Sequence, residues 1–224
     1  MVLELYTDAS LKTFSNGRTF ACAGAIAPQF SMCKYEVLPD TTNNRAELTA
    51  VFAGIMLANN IRQLHPEVSE IYLYSDSKFA VCGLTEWIDR WIEEQDTEDG
   101  TLYGSGKSPV KNQELFAMIL VYLVENKLRI NLRHIKGHVN YENENELYKA
   151  NTKFQKINGY LLSPDDILVK TTYNNLVDVE TRRRVELVNP ASYPYIPPLG
   201  IIPVGKTIPR EYKEYCIGGK EYKR

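Results

Sequence analysis

The sequence predicts an α/β fold with a mixed β-sheet whose antiparallel part comes first. Three β-rich runs open the chain of 224 residues, at residues 2–7, 19–28 and 30–38. From residue 42 onward, segments with helical periodicity alternate with short apolar strands. Strands followed by alternating helices and strands are typical of a sheet flanked by helices. The length suits one domain with additions better than two full domains.

Capping residues and acidic residues bound the predicted elements. The first run, VLELYT, alternates in polarity and leads into Asp8, so we expect a strand that ends at this acid. Thr42 or Asn43 can cap the long helix that follows the third strand. EIYLYS is a short strand that leads into Asp76, and KLRINLRH is the last strand of the series. A loop and two helices fill the region between these last two strands.

Beyond His138 the sequence predicts three helices and an extended tail. The helices are expected at residues 142–157, from an SPDD cap at residues 163–166, and from about Asn174 onward. Residues 139–173 would then be a helical insertion within a domain of residues 1–188. This insertion is either a lid or substrate guide beside the site, or a solvated hairpin with no role in binding.

The last segment, residues 189–224, contains six of the eleven prolines and is expected to be extended. It also mixes basic residues with tyrosines, a combination that can bind single-stranded nucleic acid. An arm that packs on its own domain or on a partner subunit explains the prolines and tyrosines as well, and we favour packing. The basic residues concerned are Lys206, Arg210, Lys213, Lys220, Lys223 and Arg224.

Net charge and cysteine usage narrow the possible partners and compartment. The formal net charge is -2 and the pI is about 6.0, so the whole molecule does not attract a polyanion. The four cysteines show no C-x-x-C spacing, which indicates reduced thiols rather than disulfides or a zinc site. The sequence has neither a basic leader before an apolar segment nor an apolar run of about eighteen residues. We therefore expect an intracellular, cytoplasmic protein that is not secreted and has no membrane association.

Three acids lie at the ends of predicted elements and suggest a common site. Asp8 and Asp76 follow strands, and Glu47 lies in the first turns of a helix. Taken singly, each has a structural explanation, such as a helix cap or an acid that favours the helix dipole. Clustered carboxylates repel unless a hard cation compensates them, and two Mg²⁺ or Mn²⁺ ions about 3.5–4 Å apart support phosphodiester hydrolysis.

Five motifs in one order resemble the type 1 class of ribonuclease H. They are YTDAS (6–10), TNNRAEL (42–48), YSDSKFAV (74–81), PVKNQELF (109–116) and IKGH (135–138), and together they span about residues 1–138. The resemblance implies an RNase H-like fold with a five-stranded mixed sheet. It also implies that the chain cleaves the RNA strand of RNA–DNA hybrids with two Mg²⁺ ions, leaving 5′-phosphate and 3′-hydroxyl ends. We expect it to do so as a monomer.

The resemblance also assigns residues to the site. Asp8, Glu47 and Asp76 are implied metal ligands, with Asp8 between the two ions. Asn43, Asn44 and Arg45 match the loop that holds the hybrid in its minor groove, where 2′-hydroxyls distinguish RNA from DNA. Helix capping is an alternative role for the two asparagines. Further substrate contacts are expected from Ser10, Ser77, Lys107, Lys111 and Asn112.

Residues 85–112 depart from the family pattern. Some members carry a basic protrusion in this region, whereas EEQDTED at residues 93–99 is acidic. Trp87 and Trp91 either pack or stack on sugar or base. Ser105 and Lys107 suggest a phosphate pocket for the DNA strand. The GSGKS run lacks the spacing of a P-loop, so no nucleotide cofactor is expected.

The fourth acid of the family does not follow the histidine at the usual distance. The family's last helix reads N-E-x-A-D-x-L-A-R, with the metal-binding Asp one turn after the Asn. NNLVDVETR at residues 174–182 keeps this spacing and supplies Asp178. NELYKAN has the wrong spacing and ends at Asn151, whose amide is a poor Mg²⁺ ligand. We therefore predict Asp178 as the fourth ligand, with Glu144 or Glu146 as alternatives.

His138 follows Gly137 at the end of the last predicted strand. The resemblance implies that its imidazole relays a proton or helps release product, and a near-neutral pKa suits this role. The alternative is a loop histidine with one surface hydrogen bond. His134 and His65 are expected to be structural or surface residues. Two other functions stay open: a catalytically silent nucleic-acid-binding module and a DNA-processing nuclease of the same fold.

Overall fold

The protein folds around one six-stranded mixed sheet. A computed structural model describes residues 1–96, 98–104, 106–197, 200, 202, 204–205 and 208–219. The strands are β1 (Val2–Thr13), β2 (Thr19–Ala27), β3 (Met32–Pro39), β4 (Glu70–Ser75), β5 (Ile130–His134) and β6 (Cys216–Ile217). Their order is β3-β2-β1-β4-β5-β6, antiparallel from β1 to β3 and parallel from β1 to β6. The predicted mixed sheet is confirmed, with six strands in place of five.

Helices cover both faces of the sheet. They are α1 (Asn43–Leu64), α2 (Lys78–Cys82), α3 (Ile88–Glu93), α4 (Gln113–Glu125), α5 (Glu144–Asn158), α6 (Pro164–Glu186) and α7 (Tyr212–Tyr215). A π-helical turn, Gly83–Trp87, joins α2 to α3. Helices α1 and α4 share an apolar core with Leu5 and Leu73 of the sheet. Helices α5 and α6 pack against Tyr6 and Tyr74 on the opposite face.

Strand β1 is longer than its parallel neighbour β4, and this difference shapes the sheet near Asp8. The predicted end of the first strand at Asp8 is wrong, because pairing with β2 continues to Thr13. Pairing with β4 stops at Thr7 and Ser75. From Asp8 onward, β1 therefore has no strand partner on its β4 side, because β4 ends at Ser75.

Helix α1 packs unusually close to the centre of the sheet. Its N-cap is Thr42, whose side chain accepts the amide of Arg45, as the sequence predicts. A Cβ at Gly54 would lie 2.7 Å from Cγ2 of Thr7 and 2.8 Å from Cδ1 of Leu73. The glycine thus permits a helix–sheet approach that a larger residue would block.

The segment after His138 forms two helices, and the prediction of three is wrong. Ser163 caps α6 by accepting the amide of Asp166, and the helix then continues without a break to Glu186. One face of α6 is buried along its whole length, from Ile167 to Val185. This continuous packing against β1 and β2 explains why the chain does not break near residue 174.

A buried ion pair fixes α6 on the sheet. Nζ of Lys170 donates to Oε1 of Glu4 at 2.8 Å, and the lysine side chain is only 6% exposed. The hydroxyl groups of Tyr6 and Tyr74 also donate to the Glu4 carboxylate, at 3.0 and 3.2 Å. The ammonium group also lies 5.1 Å from the centre of the Tyr74 ring. Every oxygen of this carboxylate is therefore paired beneath the helix, as a buried charge requires.

The tail begins at a clamp on the β1–β2 turn. The guanidinium of Arg18 donates to backbone carbonyls of Pro190, Tyr193 and Pro194 at 3.0, 2.8 and 2.9 Å. The same guanidinium pairs with Asp40 at 2.6 Å. Several charge-assisted hydrogen bonds on one group hold the first residues of the tail to the domain.

The rest of the described tail reaches the opposite edge of the sheet and is not uniformly extended. The side chain of Gln113 donates to the carbonyl of Ile202 at 2.8 Å. Helix α7 and strand β6 follow, and Arg133 donates to the carbonyl of Ile217 at 2.9 Å. The prediction of an extended tail is therefore wrong for residues 212–215, which are helical, whereas Cys216 and Ile217 are extended. Among the basic residues named above, Lys206, Lys220, Lys223 and Arg224 lie outside the described residues, while Lys213 pairs with Asp89.

The thiols and helix lengths agree with the bulk composition. The four cysteines are thiols rather than disulfides, and Cys33 is the exposed one. Within the described ranges, no helix is long and apolar enough to cross a membrane.

Replacing Glu4 by Gln tests the ion pair beneath α6. The variant leaves the Lys170 ammonium buried without a charged partner, so we expect the free energy of unfolding to fall by about 3 kcal/mol. Urea denaturation at pH 7 measures this change. Glu70→Gln is the matched control, because Glu70 accepts the Tyr72 hydroxyl at the surface, and it should cost less than about 0.5 kcal/mol. Equal losses in the two variants would contradict a role for the buried pair.

Candidate active site

The sheet register brings Asp8 and Asp76 together. Tyr6 pairs with Tyr74 and Thr7 with Ser75, and the two acids occupy the next positions on the two chains. Asp8 is still within the β1–β2 ladder, whereas Asp76 is the first residue beyond β4. Neighbouring parallel strands thus deliver two carboxylates to the same edge of the sheet, where α/β proteins commonly bind ligands.

Glu47 reaches the same place from the second turn of α1. Nδ2 of Asn43 donates to its Oε1 at 2.6 Å, and the hydroxyl of Ser77 donates to its Oε2. Ser77 is buried and also caps α2 by accepting the amide of Ala80 at 3.1 Å. Its hydroxyl is thus engaged within the protein, so the structure makes it a positioning residue for Glu47 rather than an open substrate contact.

Asp178 joins these acids from α6. Its carboxylate lies 3.3 Å from Nδ1 of His138 and accepts two hydrogen bonds from Nη2 of Arg182, at 3.0 and 2.9 Å. His138 is in a left-handed backbone conformation with φ of 53° and its side chain is 69% exposed. An exposed imidazole therefore stands beside a partly buried carboxylate at the rim of the site.

The sequence alternatives for the fourth acid lie elsewhere. Glu146 accepts the backbone amide of Asn140 at 2.9 Å. Asn151 makes two hydrogen bonds with the backbone of Leu162, at 2.8 and 3.0 Å, which close the loop between α5 and α6. Glu144 is an exposed residue of the first turn of α5. Among the competing residues, Asp178 is the one that lines the pocket with the other three acids.

These acids share one open cavity of about 500 Å³. Its wall also contains two cations that the sequence reasoning did not assign, Lys12 and Arg182. Both follow from simple periodicity: Lys12 lies on the same face of β1 as Asp8, and Arg182 lies one helical turn after Asp178. The predicted residues lining this cavity are Asp8, Ser10, Asn43, Glu47, Asp76, His138 and Asp178.

Burial and mutual repulsion raise the pKa of two of the acids. Asp8 is 8% exposed, and loss of solvation, followed by the charge of Asp76, raises its pKa to about 8. The amide of Ala9 donates to Asp8 at 2.7 Å and opposes this shift in pKa. Burial and the charge of Glu47 likewise raise the pKa of Asp76, while His138 opposes the rise. Without added positive charge, this pocket favours a protonated Asp8 near neutral pH.

Gly137 allows the end of β5 to approach Asp76. A Cβ at this position would lie 1.8 Å from Oδ2 of Asp76, far inside a permitted contact. Any larger residue here would therefore displace the Asp76 carboxylate from its present position. The K-G-H sequence thus has a steric reason as well as a chemical one.

The carboxylate oxygens of this cavity are suited to a hard divalent cation, but they are not directed toward one common position. Carboxylate oxygens are the ligands that Mg²⁺ and Mn²⁺ prefer. In the described part of the chain, no group of three His, Cys, Asp or Glu side chains is placed so that it could hold a metal ion. The carboxylates are directed to donors of the protein instead, such as Arg182 and Ser77. Side-chain rotation would be needed to turn these oxygens toward a shared ion.

Other predicted substrate residues lie outside this cavity. Arg45 pairs with Glu114 and lies 3.4 Å from Oδ1 of Asn112, so it braces α1 against the start of α4. Lys107 and Lys111 are exposed on the loop before α4, and Lys111 lines a second cavity of about 530 Å³. The structure therefore does not bring these residues into contact with the acids. Ser105 lies outside the described residues.

The second cavity contains the two tryptophans of the acidic region. Trp87 and Trp91 lie with ring centres 6.0 Å apart, and Trp91 also packs edge-on against Phe116 at 5.2 Å. Trp87 is 38% exposed. The tryptophan pair is thus partly packed and partly exposed, which is compatible both with a packing role and with stacking on sugar or base.

The remaining histidines do not line the cavity of the four acids. His134 is buried, and loss of solvation, with a smaller effect of Lys153, lowers its pKa to about 4. His65 packs on Phe30 at the surface, with ring centres 4.6 Å apart.

Comparison with known proteins connects this geometry to one family. The sequence profile described as RNase H matches residues 2–153. Ribonuclease HI of Rickettsia conorii is 31% identical over 143 residues, which cover 59% of this chain and 82% of that protein. Ribonuclease HI of Haemophilus influenzae is 37% identical over 107 residues, covering 48% of this chain and 59% of that protein. The protease–reverse transcriptase of prototype foamy virus shares the fold, with a TM-score of 0.50 at 17% identity over 84% of this chain and 21% of that chain.

The raised pKa of Asp8 predicts a pH-dependent gain of stability in Asp8→Asn. The Asp8 pKa of about 8 lies above its unfolded value of roughly 4, so ionisation opposes folding. The free energy of unfolding of the wild type therefore falls as pH rises from about 4 to about 8, and the variant lacks this loss. In buffer with a chelator, Asp8→Asn should be more stable than the wild type by over about 1 kcal/mol at pH 8 and similar to it at pH 4.5.

Urea denaturation at several pH values measures this difference. Glu125→Gln, at an exposed position of α4, is the control and should show no such trend. A constant difference between Asp8→Asn and wild type across this pH range would contradict the raised pKa.

Proposed function

The chain belongs to the RNase H family, and on this premise we propose that it hydrolyses the RNA strand of RNA–DNA hybrids in the pocket of Asp8, Glu47, Asp76 and Asp178. By its family the chain is a ribonuclease H enzyme, and the family depends on divalent metal ions. The observation that carries the site assignment is the convergence of four carboxylates from β1, α1, β4 and α6 on one cavity. The expected products carry 5′-phosphate and 3′-hydroxyl ends.

The four acids are the proposed holders of two Mg²⁺ ions, with Mn²⁺ as a substitute. Bound metal ions supply an activated water and stabilise the leaving oxygen in phosphodiester hydrolysis. The charges of Asp76, Asp178 and Glu47 all raise the pKa of Asp8, so Asp8 lies close to each of the other three acids. This supports a central position for Asp8. Ser77 and Asn43 hold the Glu47 carboxylate from two sides, which limits its freedom before substrate arrives.

His138 is proposed to move a proton at the mouth of the pocket. Its exposed ring can reach bound substrate, while Nδ1 lies 3.3 Å from Asp178. A carboxylate beside an imidazole fixes the orientation of the ring. Proton delivery to the leaving 3′-oxygen, or release of the product, are the steps that this position suits.

Three polar or basic residues near the acids are suited to bind a hybrid. Lys12 and Arg182 line the cavity, and Asn44 lies outside it. Asn44 is exposed at the start of α1 and can donate to the 2′-hydroxyls that mark the RNA strand. Lys12 and Arg182 line the cavity and can bind phosphate oxygens. Lys107, Lys111 and Asn112, with the neighbouring tryptophans, form a separate surface that we assign to the DNA strand.

We further propose that residues 1–188 form the catalytic domain and that the tail packs on it. The Arg18 clamp and the pairing of β6 with β5 support this division. Helix α5 is proposed to support the His138 turn, since Glu146 holds the amide of Asn140. All four acids come from one chain, so a single copy contains a complete site.

Acid-to-amide substitutions test the proposed ligands. On a labelled RNA–DNA hybrid in Mg²⁺ or Mn²⁺, Asp76→Asn should lower kcat by ~10²-fold or more, because a ligand contributes several kcal/mol. Asp178→Asn should lower kcat at least about tenfold. RNA and DNA duplexes serve as substrate controls, and Glu125→Gln as the protein control.

Each other outcome of this experiment points to a different conclusion. Full activity of Asp178→Asn would remove Asp178 from the ligand set. Absence of hybrid cleavage by the wild type would favour a silent nucleic-acid-binding module, and cleavage of the DNA duplex would favour a DNA-processing nuclease.

The two asparagines at the start of α1 should affect catalysis differently. Asn43 donates to Glu47, so Asn43→Ala is expected to lower kcat by about tenfold. Asn44→Ala should raise KM several-fold with little change in kcat, because the lost hydrogen bond belongs to substrate binding. Steady-state kinetics on one hybrid separate these effects, and identical changes in the two variants would refute the distinction.

A further inference from the structure

Helix α6 is apolar on two opposite faces. Its inner face packs on the sheet through Ile167, Val177 and Val185. Its outer face exposes Leu176 by 52% and Val179 by 59%. A surface helix of a globular domain normally has one apolar face and one polar face. The outer face of α6 therefore resembles a contact surface.

The outer residues repeat with the spacing of a coiled-coil seam. Steps of four, three, four, three and four residues separate six positions that lie opposite the buried face. Charged residues occupy the two ends of this series and apolar or small residues its centre. These six residues, called the outer seam, are Asp165, Val169, Thr172, Leu176, Val179 and Arg183.

We propose that the outer seam binds the same seam of a second copy of this chain in antiparallel orientation. In this register each residue of the outer seam faces the partner residue whose number is 348 minus its own. Val169 faces Val179 of the partner subunit, and Thr172 faces Leu176 of the partner subunit. A two-fold dimer requires one patch that complements itself, and this register provides it.

The charges at the ends of the seam select the antiparallel direction. Asp165 then faces Arg183 of the partner subunit, an arginine that also pairs with Glu180 of its own helix at 3.0 Å, so two opposite-charge contacts flank the apolar centre. A parallel pair would place each Asp165 beside another aspartate and each Arg183 beside another arginine. Facing charges at such positions determine partner orientation in coiled coils.

Two leucines beyond the helix extend the same pattern. Leu161 is 57% exposed before α6, and Leu187 is 75% exposed directly after it. Leu161 precedes the N-cap Ser163 and Leu187 is the C-cap, so the two leucines add exposed apolar surface at opposite ends of the helix. The apolar surface thus continues past the charged pairs at both ends.

The dimer leaves the proposed active site open and is expected to be weak. Asp178 is turned toward the pocket, on a flank of α6 away from the outer seam. The nineteen residues from Asp165 to Arg183 span about 27 Å of helix. A standard interface buries about 800 Å² on each partner, and a single helix of this length buries less. We therefore expect a micromolar dissociation constant. This association departs from the monomer expected from the sequence.

Sedimentation equilibrium without nucleic acid tests the dimer, whatever the outcome of the cleavage assay. The mass of the wild type should rise from one chain toward two between about 5 and 500 μM. Leu176→Glu should raise the dimer dissociation constant at least tenfold, because it buries a charge in the centre of the seam. Met118→Glu, at a 44% exposed position of α4, is the matched control and should dimerise normally. Circular dichroism checks that each variant is folded.

Charge exchange tests the register and the direction. Asp165→Arg and Arg183→Asp should each weaken the dimer, and the double variant should restore it, because facing charges are again opposite. A wild type that stays monomeric at 500 μM would overturn the proposal. So would dimerisation that persists in Leu176→Glu, or single charge variants that dimerise as well as the wild type.

Discussion

The pocket holds four carboxylates close together while burying one of them, and most of the surrounding structure serves this constraint. Asp8 is buried and lies near the negative charges of the other three acids. Both effects raise its pKa, to about 8. Such an arrangement is stable only if rigid elements hold the acids or if positive charge offsets them. The protein does both, through the sheet register at Asp8 and Asp76 and through Arg182 and His138 beside Asp178.

Helix α6 links the stability of the fold to the geometry of the site. Its Lys170 pairs with Glu4 between the helix and the sheet, about two helical turns before Asp178. The pair fixes the rotation and the height of the helix, so it also fixes where Asp178 points. The outer face of the same helix takes part neither in the ion pair nor in the pocket. Its self-complementary pattern can therefore bind a second copy of the chain without disturbing the pocket.

The chain after His138 shows how a site can tolerate added length. The family match ends at residue 153, inside α5, whereas the fourth acid lies at residue 178. Helix α6 reaches the pocket because its buried face packs on β1 and β2, not because of its distance from His138 along the chain. Loop closure costs little extra entropy per added residue, so packing can place a distant helix correctly.

The sequence by itself determined the mixed sheet with its antiparallel part first, the capped start of α1, the acids that line the pocket and the family. These depend on local patterns, namely the period of apolar residues, capping residues and short motifs, which any one segment carries by itself. It did not determine that β1 continues past Asp8, since strand length is decided by pairing with β2. It also predicted a helix break near residue 174 and a fully extended tail. Only tertiary packing decided that α6 is one helix, that Ser77 is committed to Glu47, and that the tail completes the sheet as β6. Each of these depends on contacts between segments far apart in the chain, which a local pattern cannot contain.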